Sequence, residues 1–338
     1  MSRTRAVGPE PIEGRRVNTE VTPARSQTMY PSQPYQSQAS STSHHANLSP
    51  SRANNALSPG QKFIDFSIKK LRQLKPCLHD PKQQRFPKHQ WPELGISCGE
   101  LDFETGKLTT STAQSENGQS FLKLMAPEAM QQIAVSCNLH HIRGPIIHGP
   151  EALYTNFHNA DALENVVLRC LWTPYVDNKS FLVQKSVWED YRPDNYEGPK
   201  LHNMNGDGDV MWIVPWFLQS KGSASPHVNC ILIQQQRLEQ DTLLLSEVWC
   251  ILMLSLLIAR RLPAHLNYRT VPVTMVSASS RYIRIVQGWV DSEAGKIRIN
   301  KSLIVSLGTS ESMSDKTVWA VVSDILRWLL AEPTGKTA

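Results

Sequence analysis

The sequence predicts an α/β (α+β) fold in which a mixed central sheet is flanked by helices and follows a disordered N-terminal tail. From residue 159 onward, short apolar runs typical of buried strands alternate with longer helical patterns, which indicates helices layered on a sheet. Residues 248–259 are apolar at every position except Ser255, as in a helix enclosed by a core. Residues 1–57 contain almost no clustered aliphatic side chains.

Composition places few limits on function. The 338 residues are enough for one large domain or two small ones, and the formal net charge of +5 gives weak support for a nucleic-acid partner. The six cysteines show no CxxC spacing and several lie in apolar runs, which fits reduced thiols better than disulfides. The N-terminal residues contain no apolar run, so we expect an intracellular protein, of the cytoplasm or nucleus, that is not secreted.

The N-terminal tail, residues 1–57, is rich in Ser, Pro, Gln, Asn and Arg. Such a segment buries too little apolar surface to offset the entropy lost on ordering, which predicts disorder. Basic pairs at Arg3/Arg5 and Arg15/Arg16 leave open whether the tail directs nuclear import, although charges in tails are usually only solvated.

The first helix is predicted at Pro59–Leu74, with Ser58 as its N-cap. A basic amphipathic helix of this kind binds a membrane or an acidic partner in some proteins. Packing of the apolar face on the helix's own domain is commoner. We assign residues 58–150 to a helical and irregular extension that packs on the core, with irregular chain at 76–120 and a second helix from Pro127.

The predicted core, residues 151–332, begins with a helix at Asn159–Trp172. The periodicity then changes, and three apolar runs are predicted to be strands. Pro215 interrupts the second run, which marks a bulge or the end of a strand. The three runs are Ser180–Val187, Val210–Leu218 and Val228–Gln235.

The longest apolar stretch, Gln240–Leu262, predicts a helix around which the strands are arranged. Asp241 and Thr242 suit the N-cap, while two arginines followed by Pro263 suit the end of a helix. A membrane span needs about 20 predominantly apolar residues. Because this run is shorter and carries Glu247, we predict a buried core helix and no membrane span.

Beyond this helix, the sequence predicts a hairpin, two short strands and a closing helix. The arms of the hairpin are Val271–Ser277 and Tyr282–Val290, with a polar turn between them. Lys296–Asn300 and Leu303–Leu307 supply the short strands. The closing helix, Lys316–Glu332, has one apolar face.

This order of elements resembles the PD-(D/E)XK nuclease-like superfamily, as found in uncharacterised fungal proteins assigned to it. The resemblance is carried by the strand that enters the long apolar helix at 228–257, by the hairpin PVTMVSASSRYIRIVQGWV and by the late amphipathic helix that ends in RWLL. These features cover about residues 150–331. The resemblance implies a restriction-endonuclease-like core and says nothing of the first 120 residues.

The chemistry departs from that superfamily. There, an Asp on one strand and an acid-x-Lys sequence on the next bind Mg²⁺, which activates a water. Asp207 and Asp209 are the candidates for the first position, whereas Gln234 and Gln236 stand where the acid and the lysine are expected. An amide binds Mg²⁺ poorly and takes up no proton as a general base. With Glu164 of the preceding helix, these residues form the candidate site, and no catalytic or metal-binding residue is assigned.

Two carboxylates downstream, Glu239 and Asp241, are an open alternative to the missing ligands. They would share one face if the strand continued to residue 241, but residues just before a helix more commonly form its cap. Aromatic and basic residues nearby also have the chemistry to stack on bases, although such residues more often belong to the core. They are Trp212, Trp216, Tyr282 and Trp289 with Arg281 and Arg284.

The expected function is that of a catalytically degenerate nuclease-fold module with a binding or regulatory role, whose partner is an unknown protein or nucleic acid. It needs no cofactor, and Mg²⁺ only if the candidate site is active. Two alternatives stay open: an accessory protein or enzyme acting on a small molecule in a fungal pathway, and an active Mg²⁺-dependent nuclease. No G-x-S-x-G, Walker, H-E-x-x-H or glycine-rich strand–helix motif favours another class.

Overall fold

A computed structural model of the chain describes residues 57–109, 121–142, 144–145, 156–174, 180–191, 201–204, 210–221, 226–262, 268–307, 315–334 and 337. All of them belong to one compact unit. The predictions for the tail, for Asp207 and for Asp209 lie outside the described residues.

Six α-helices and fourteen strands are formed within the described residues. The helices are α1 (Pro59–Leu74), α2 (Pro127–Ser136), α3 (Asn156–Leu171), α4 (Leu182–Lys185), α5 (Leu245–Arg261) and α6 (Lys316–Leu329). The strands are β1 (Arg85–Pro87), β2 (Ile96–Glu100), β3 (Leu122–Lys123), β4 (Trp188–Tyr191), β5 (His202–Met204), β6 (Val210–Ile213), β7 (Phe217–Ser220), β8 (Val228–Gln234), β9 (Thr242–Leu244), β10 (Val273–Ser279), β11 (Tyr282–Asp291), β12 (Lys296–Lys301), β13 (Val305–Ser306) and β14 (Glu332–Pro333).

Ten of the strands form one mixed sheet with the order β2-β12-β11-β10-β8-β6-β5, to which β4, β7 and β13 add at the sides. The neighbours β8 and β10 run parallel, with Met275 opposite Cys230, and α5 is the crossover between them. The pair β10–β11 is an antiparallel hairpin in which Met275 also lies opposite Val286. The predicted fold class is therefore confirmed.

Helices cover both faces of this sheet. On one face, Cys230 and Leu232 of β8 belong to an apolar cluster with α5 and α1. On the other face, Ile231 and Ile233 belong to a cluster with α3 and α6. Every residue of β8 is buried as a result, which explains why this strand is nearly continuously apolar rather than alternating.

The central helix is a core helix, as predicted. In α5, 13 of the 17 residues are buried, so its apolar surface is covered by the sheet on one side and by α1 on the other. In the part of the chain that the structure describes, no helix is long and apolar enough to cross a membrane.

The strand predicted at 180–187 is wrong. Leu182–Lys185 forms the short helix α4, and the strand β4 follows it at Trp188–Tyr191. The neighbours Leu182 and Val183 are both buried, and a helical turn can direct adjacent side chains to one core where a strand would point them apart. The Gln184 side chain accepts the N–H of Phe181 at 3.1 Å and completes this turn.

The single strand predicted at 210–218 is two strands. β6 and β7 lie on either side of Pro215, and both pair antiparallel with β8, through Ile213 opposite Ile233 and Phe217 opposite Cys230. Proline has no N–H to donate to a sheet. The chain therefore breaks its pairing at this residue and resumes it further along β8.

The predicted start of the central helix is also wrong. Asp241 and Thr242 do not cap it, because residues 242–244 form β9, which pairs with β1. The helix begins at Leu245, and the N–H of Leu244 donates to the Glu247 carboxylate at 2.9 Å. The Arg284 guanidinium holds the preceding turn in place by donating to the Glu239 and Thr242 carbonyls at 2.9 and 3.0 Å.

The region read as irregular, residues 76–120, contributes an edge strand to the main sheet. β2 pairs parallel with β12, with Ile96 opposite Ile297. Its sequence ISCGE has a single branched aliphatic residue, so neither the alternation nor the apolar run typical of a strand is present. The strand forms because β12 offers it a partner, which is a tertiary effect.

Candidate functional site

The candidate site residues occupy three different environments. Gln234 is the last residue of β8 and is 1 % exposed, and Gln236 follows it half-buried in a bend. Glu164 lies in α3 and is buried. Asp207 and Asp209 lie outside the described residues.

Both polar atoms of the Gln234 side chain form hydrogen bonds. Its Nε2 donates to Ser277 Oγ at 2.6 Å, and its Oε1 accepts the Ser246 hydroxyl. Ser277 is on β10 and Ser246 is in the first turn of α5. The amide therefore connects the end of β8 to the neighbouring strand β10 and to the helix α5 by hydrogen bonds.

A buried ion pair lies directly beside this amide. Arg284 of β11 donates through Nε to Glu247 Oε1 at 2.8 Å and through Nη2 to Oε2 at 2.6 Å. The Ser277 hydroxyl donates to Oε1 at 2.7 Å. Both charged side chains are 0 % exposed. With the Leu244 N–H, the carboxylate accepts four hydrogen bonds and its charge is matched by one guanidinium.

These five residues form a connected set that we call the buried polar network: Gln234, Ser246, Glu247, Ser277 and Arg284. The strand register assembles it, because Ser277 lies directly opposite Arg284 in the hairpin and cross-strand partners point to the same face. Glu247 lies in the first turn of α5, where the positive end of the helix dipole favours a carboxylate.

A second buried cation, Lys301, lies near the network. It is 4 % exposed, its Nζ donates to the Gln240 carbonyl, and it lies over the Trp91 ring at 6.0 Å from the centroid. Burial, and then the charge of Arg284, lowers the pKa of Lys301. Burial likewise raises the pKa of the nearby Cys98 thiol to about 12, so this thiol is unsuited to nucleophilic chemistry at neutral pH.

Lys301→Met is expected to change how stability depends on pH. Because folding lowers the pKa of Lys301 from 10.5, the unfolded chain binds more protons than the folded chain as the pH approaches that value. The stability of the wild type relative to the variant should therefore rise with pH across this window. Urea unfolding of both proteins at about pH 7 and about pH 10 checks the sign. A difference that stays constant or falls with pH would contradict it.

Glu164 is not part of the buried polar network. Its carboxylate accepts the indole N–H of Trp216, and Trp216 belongs to the apolar cluster on the α3–α6 face. Gln234 contacts Ser246 of α5, on the opposite face. The structure therefore places the sheet between Glu164 and Gln234.

The strand β8 ends at Gln234, so the alternative carboxylates Glu239 and Asp241 do not lie on a continuation of it. Glu239 forms an ion pair with Arg85, and Asp241 precedes β9 with its backbone carbonyl bonded to the N–H of Lys88 at 3.0 Å. Within the described residues, no group of three His, Cys, Asp or Glu side chains is arranged to hold a metal ion.

Most of the buried polar network was missed by reasoning from the sequence. The sequence suggests Arg284 only as a residue that stacks on bases, whereas the structure buries its side chain, as it also buries those of Trp212, Trp216 and Trp289. A usable signal was present, since Glu247 directly precedes the apolar run 248–259 and Arg284 is the charged residue inside the strand YIRIVQGWV. Charges in such positions are seldom buried unpaired.

The arrangement can position backbone and side chains, but it offers little for metal catalysis. The Gln234 amide is neutral and bonded on both sides, and the Glu247 carboxylate is saturated by donors. A divalent cation would have to displace Arg284 to reach that carboxylate. Comparison of the chain with family models, with curated proteins and with solved structures found no match in any of the three.

Proposed function

We propose that this protein is a catalytically degenerate nuclease-fold module with a binding or regulatory role. The observation that carries the proposal is the state of Gln234. At the position where the PD-(D/E)XK pattern has its acid, this chain has an amide that is 1 % exposed and hydrogen-bonded to two serines.

The connectivity supports the assignment to that superfamily. The helix α3 precedes the strands β6 and β7, which both pair antiparallel with β8, and α5 then crosses over from β8 to the parallel strand β10. Helices cover both faces. This order agrees with the part of the resemblance that rests on a strand entering the long apolar helix, although the same architecture hosts many functions and therefore does not establish activity.

The chemistry of the site supports loss of catalysis. Mg²⁺ is a hard cation that needs carboxylate oxygens to bind it and to activate a water. The buried carboxylate of Glu247 lies in α5 and is linked to Gln234 through Ser277. Arg284 neutralises its charge and donates a hydrogen bond to each of its oxygens. The buried polar network therefore has a structural role: it fixes the relative positions of β8, β10, β11 and α5, and so stabilises a binding surface elsewhere on the protein.

A cleavage assay tests the proposal. The full chain, incubated with supercoiled plasmid or single-stranded DNA and with Mg²⁺ or Mn²⁺, is expected to leave both substrates intact. The Asp209→Ala variant is the matched control and should be indistinguishable from wild type. Metal-dependent cleavage by the wild type that the variant lacks would contradict the proposal and favour an active nuclease.

One observation favours the second candidate, an accessory protein or enzyme acting on a small molecule. A groove of about 1260 Å³ lies between α6, the start of α2 and the turn at 104–108. Apolar side chains such as Met125 and Trp319 line it beside the ion pair of Asp324 and Arg327. A small molecule that alters the fluorescence of wild type, but not of Trp319→Phe, would favour this candidate.

A further inference from the structure

Positive charge is concentrated in one part of the chain. Residues 58–91 contain eight Lys or Arg and only two Asp or Glu, a net charge of +6, whereas the whole chain carries +5. The remaining 304 residues are therefore slightly acidic together. Such asymmetry within one chain points to a polyanionic partner for the basic part.

The structure leaves this charge on the surface. Six basic side chains of the segment are exposed, and none of the six forms an ion pair within the described residues. They are Lys62, Lys69, Arg72, Lys75, Lys82 and Lys88.

Both acidic residues of the segment are held by neutral groups or the backbone. Asp65 accepts the Gln61 amide at 2.8 Å. Asp80 accepts the N–H of Lys82 at 2.9 Å and the Gln83 amide at 2.8 Å. The exposed cations are thus not neutralised from within the segment. We call the exposed basic side chains of residues 58–91 the basic face; four of them, Lys62, Lys69, Arg72 and Lys75, follow one another along α1 and its C-cap.

The basic face is unsuited to a membrane or to a protein interface of ordinary composition. The apolar side of α1, with Phe63, Leu71 and Leu74, is buried in the cluster shared with α5, so no apolar face is left to enter a bilayer. Protein interfaces have an apolar centre and are depleted in lysine. Within residues 59–91, no large hydrophobic side chain is exposed.

The same surface fits the backbone of a nucleic acid. Nucleic-acid interfaces are polar and strongly positive, and lysines bind phosphates as point charges. The aromatic side chains of the segment do not present a stacking platform, because Phe86 and Trp91 are buried and Phe66 lies beneath the Lys70 ammonium at 5.8 Å. Recognition through phosphates alone accepts a duplex and is independent of sequence.

We propose that the basic face binds the phosphodiester backbone of duplex nucleic acid without sequence preference. This inference rests on the proposed function in one respect, that the protein binds rather than cleaves. The outward face of α1 from Lys62 to Lys75 is about 20 Å long at 1.5 Å per residue, and a duplex of that length carries about 12 phosphates. The face lies outside the part of the chain that resembles the nuclease core.

Fluorescence anisotropy of a labelled duplex of about 20 base pairs, titrated with the full chain without divalent ions, tests the inference. Between about 50 and 200 mM KCl, log K against log [KCl] should approach a slope of about −5 if all six exposed cations contact phosphates. The triple variant Lys69→Gln/Arg72→Gln/Lys75→Gln should flatten the slope by about 3 and weaken binding at each salt concentration.

A matched control removes the same charge elsewhere. Lys107→Gln/Lys123→Gln/Lys316→Gln changes three exposed lysines outside the basic face and should leave the slope unchanged. Equal losses in both triple variants, no salt-dependent binding, or tighter binding to poly-glutamate or to anionic vesicles would overturn the inference. Cleavage of the duplex after Mg²⁺ is added, with the slopes as expected, would contradict the proposed function and leave the binding surface intact.

Discussion

Arg284→Met is expected to lower the free energy of unfolding by about 3–5 kcal/mol, because it leaves a buried carboxylate without its cation. Arg284 and Glu247 are both fully buried and share two hydrogen bonds at 2.6 and 2.8 Å. The variant also removes the donor to the Glu239 and Thr242 carbonyls, so the turn before α5 loses its anchor. Urea unfolding at neutral pH measures the loss.

The double variant Glu247→Leu/Arg284→Met separates the cost of an unpaired charge from the value of the pair. Replacing both members of a buried ion pair by apolar residues is often nearly neutral. We therefore expect the double variant to be more stable than Arg284→Met alone. If the double variant were the less stable of the two, the pair itself, and not the unpaired carboxylate, would determine the loss.

Gly288→Ala is expected to cost about 1–3 kcal/mol by overpacking the contact between β11 and α5. A Cβ at this position would lie far inside the van der Waals contact distance of Ile251 Cδ1 and 2.9 Å from Ile251 Cγ1. Ile251 is fully buried in α5, so its side chain would have to shift within a packed core to make room. The absence of a side chain at residue 288 thus sets how closely the central helix approaches the sheet.

Two further variants show whether crowding is the cause. Ile251→Val removes the Cδ1 atom, so adding it to Gly288→Ala should cost less than the sum of the two single changes. Gly60→Ala adds a Cβ whose nearest neighbour is the Tyr268 carbonyl oxygen at 3.9 Å, and it should stay within about 0.5 kcal/mol of wild type. Additive losses in the Gly288 and Ile251 pair would mean that the two residues do not compete for space.

The fold was predictable where a single element carries its own signal. The run that forms α5 is apolar at nearly every position, and β8 is buried on both faces, so both are visible as nearly continuous hydrophobic segments. The start of α1 was predictable from its cap, since Ser58 Oγ accepts the N–H of Gln61 at 3.2 Å. In these segments, local propensity and tertiary packing agree.

The rest depends on contacts between distant residues. β2 becomes a strand because β12 pairs with it, and α5 starts at Leu245 because Arg284, about 40 residues later, holds the preceding turn. Gln234 looked like a substituted metal ligand in the sequence. Only its bonds to Ser246 and Ser277 show what the amide does, and no periodicity indicates a hydrogen bond across three elements.

Calorimetric titration of Mn²⁺ into the full chain tests the central claim most directly. The Glu247 carboxylate is saturated and Gln234 is neutral, so wild type and Asp209→Ala should both show no heat beyond dilution. A binding heat with defined stoichiometry that disappears in Asp209→Ala would contradict the account, because it would mean that Asp209 helps to bind a metal ion despite the glutamines at 234 and 236.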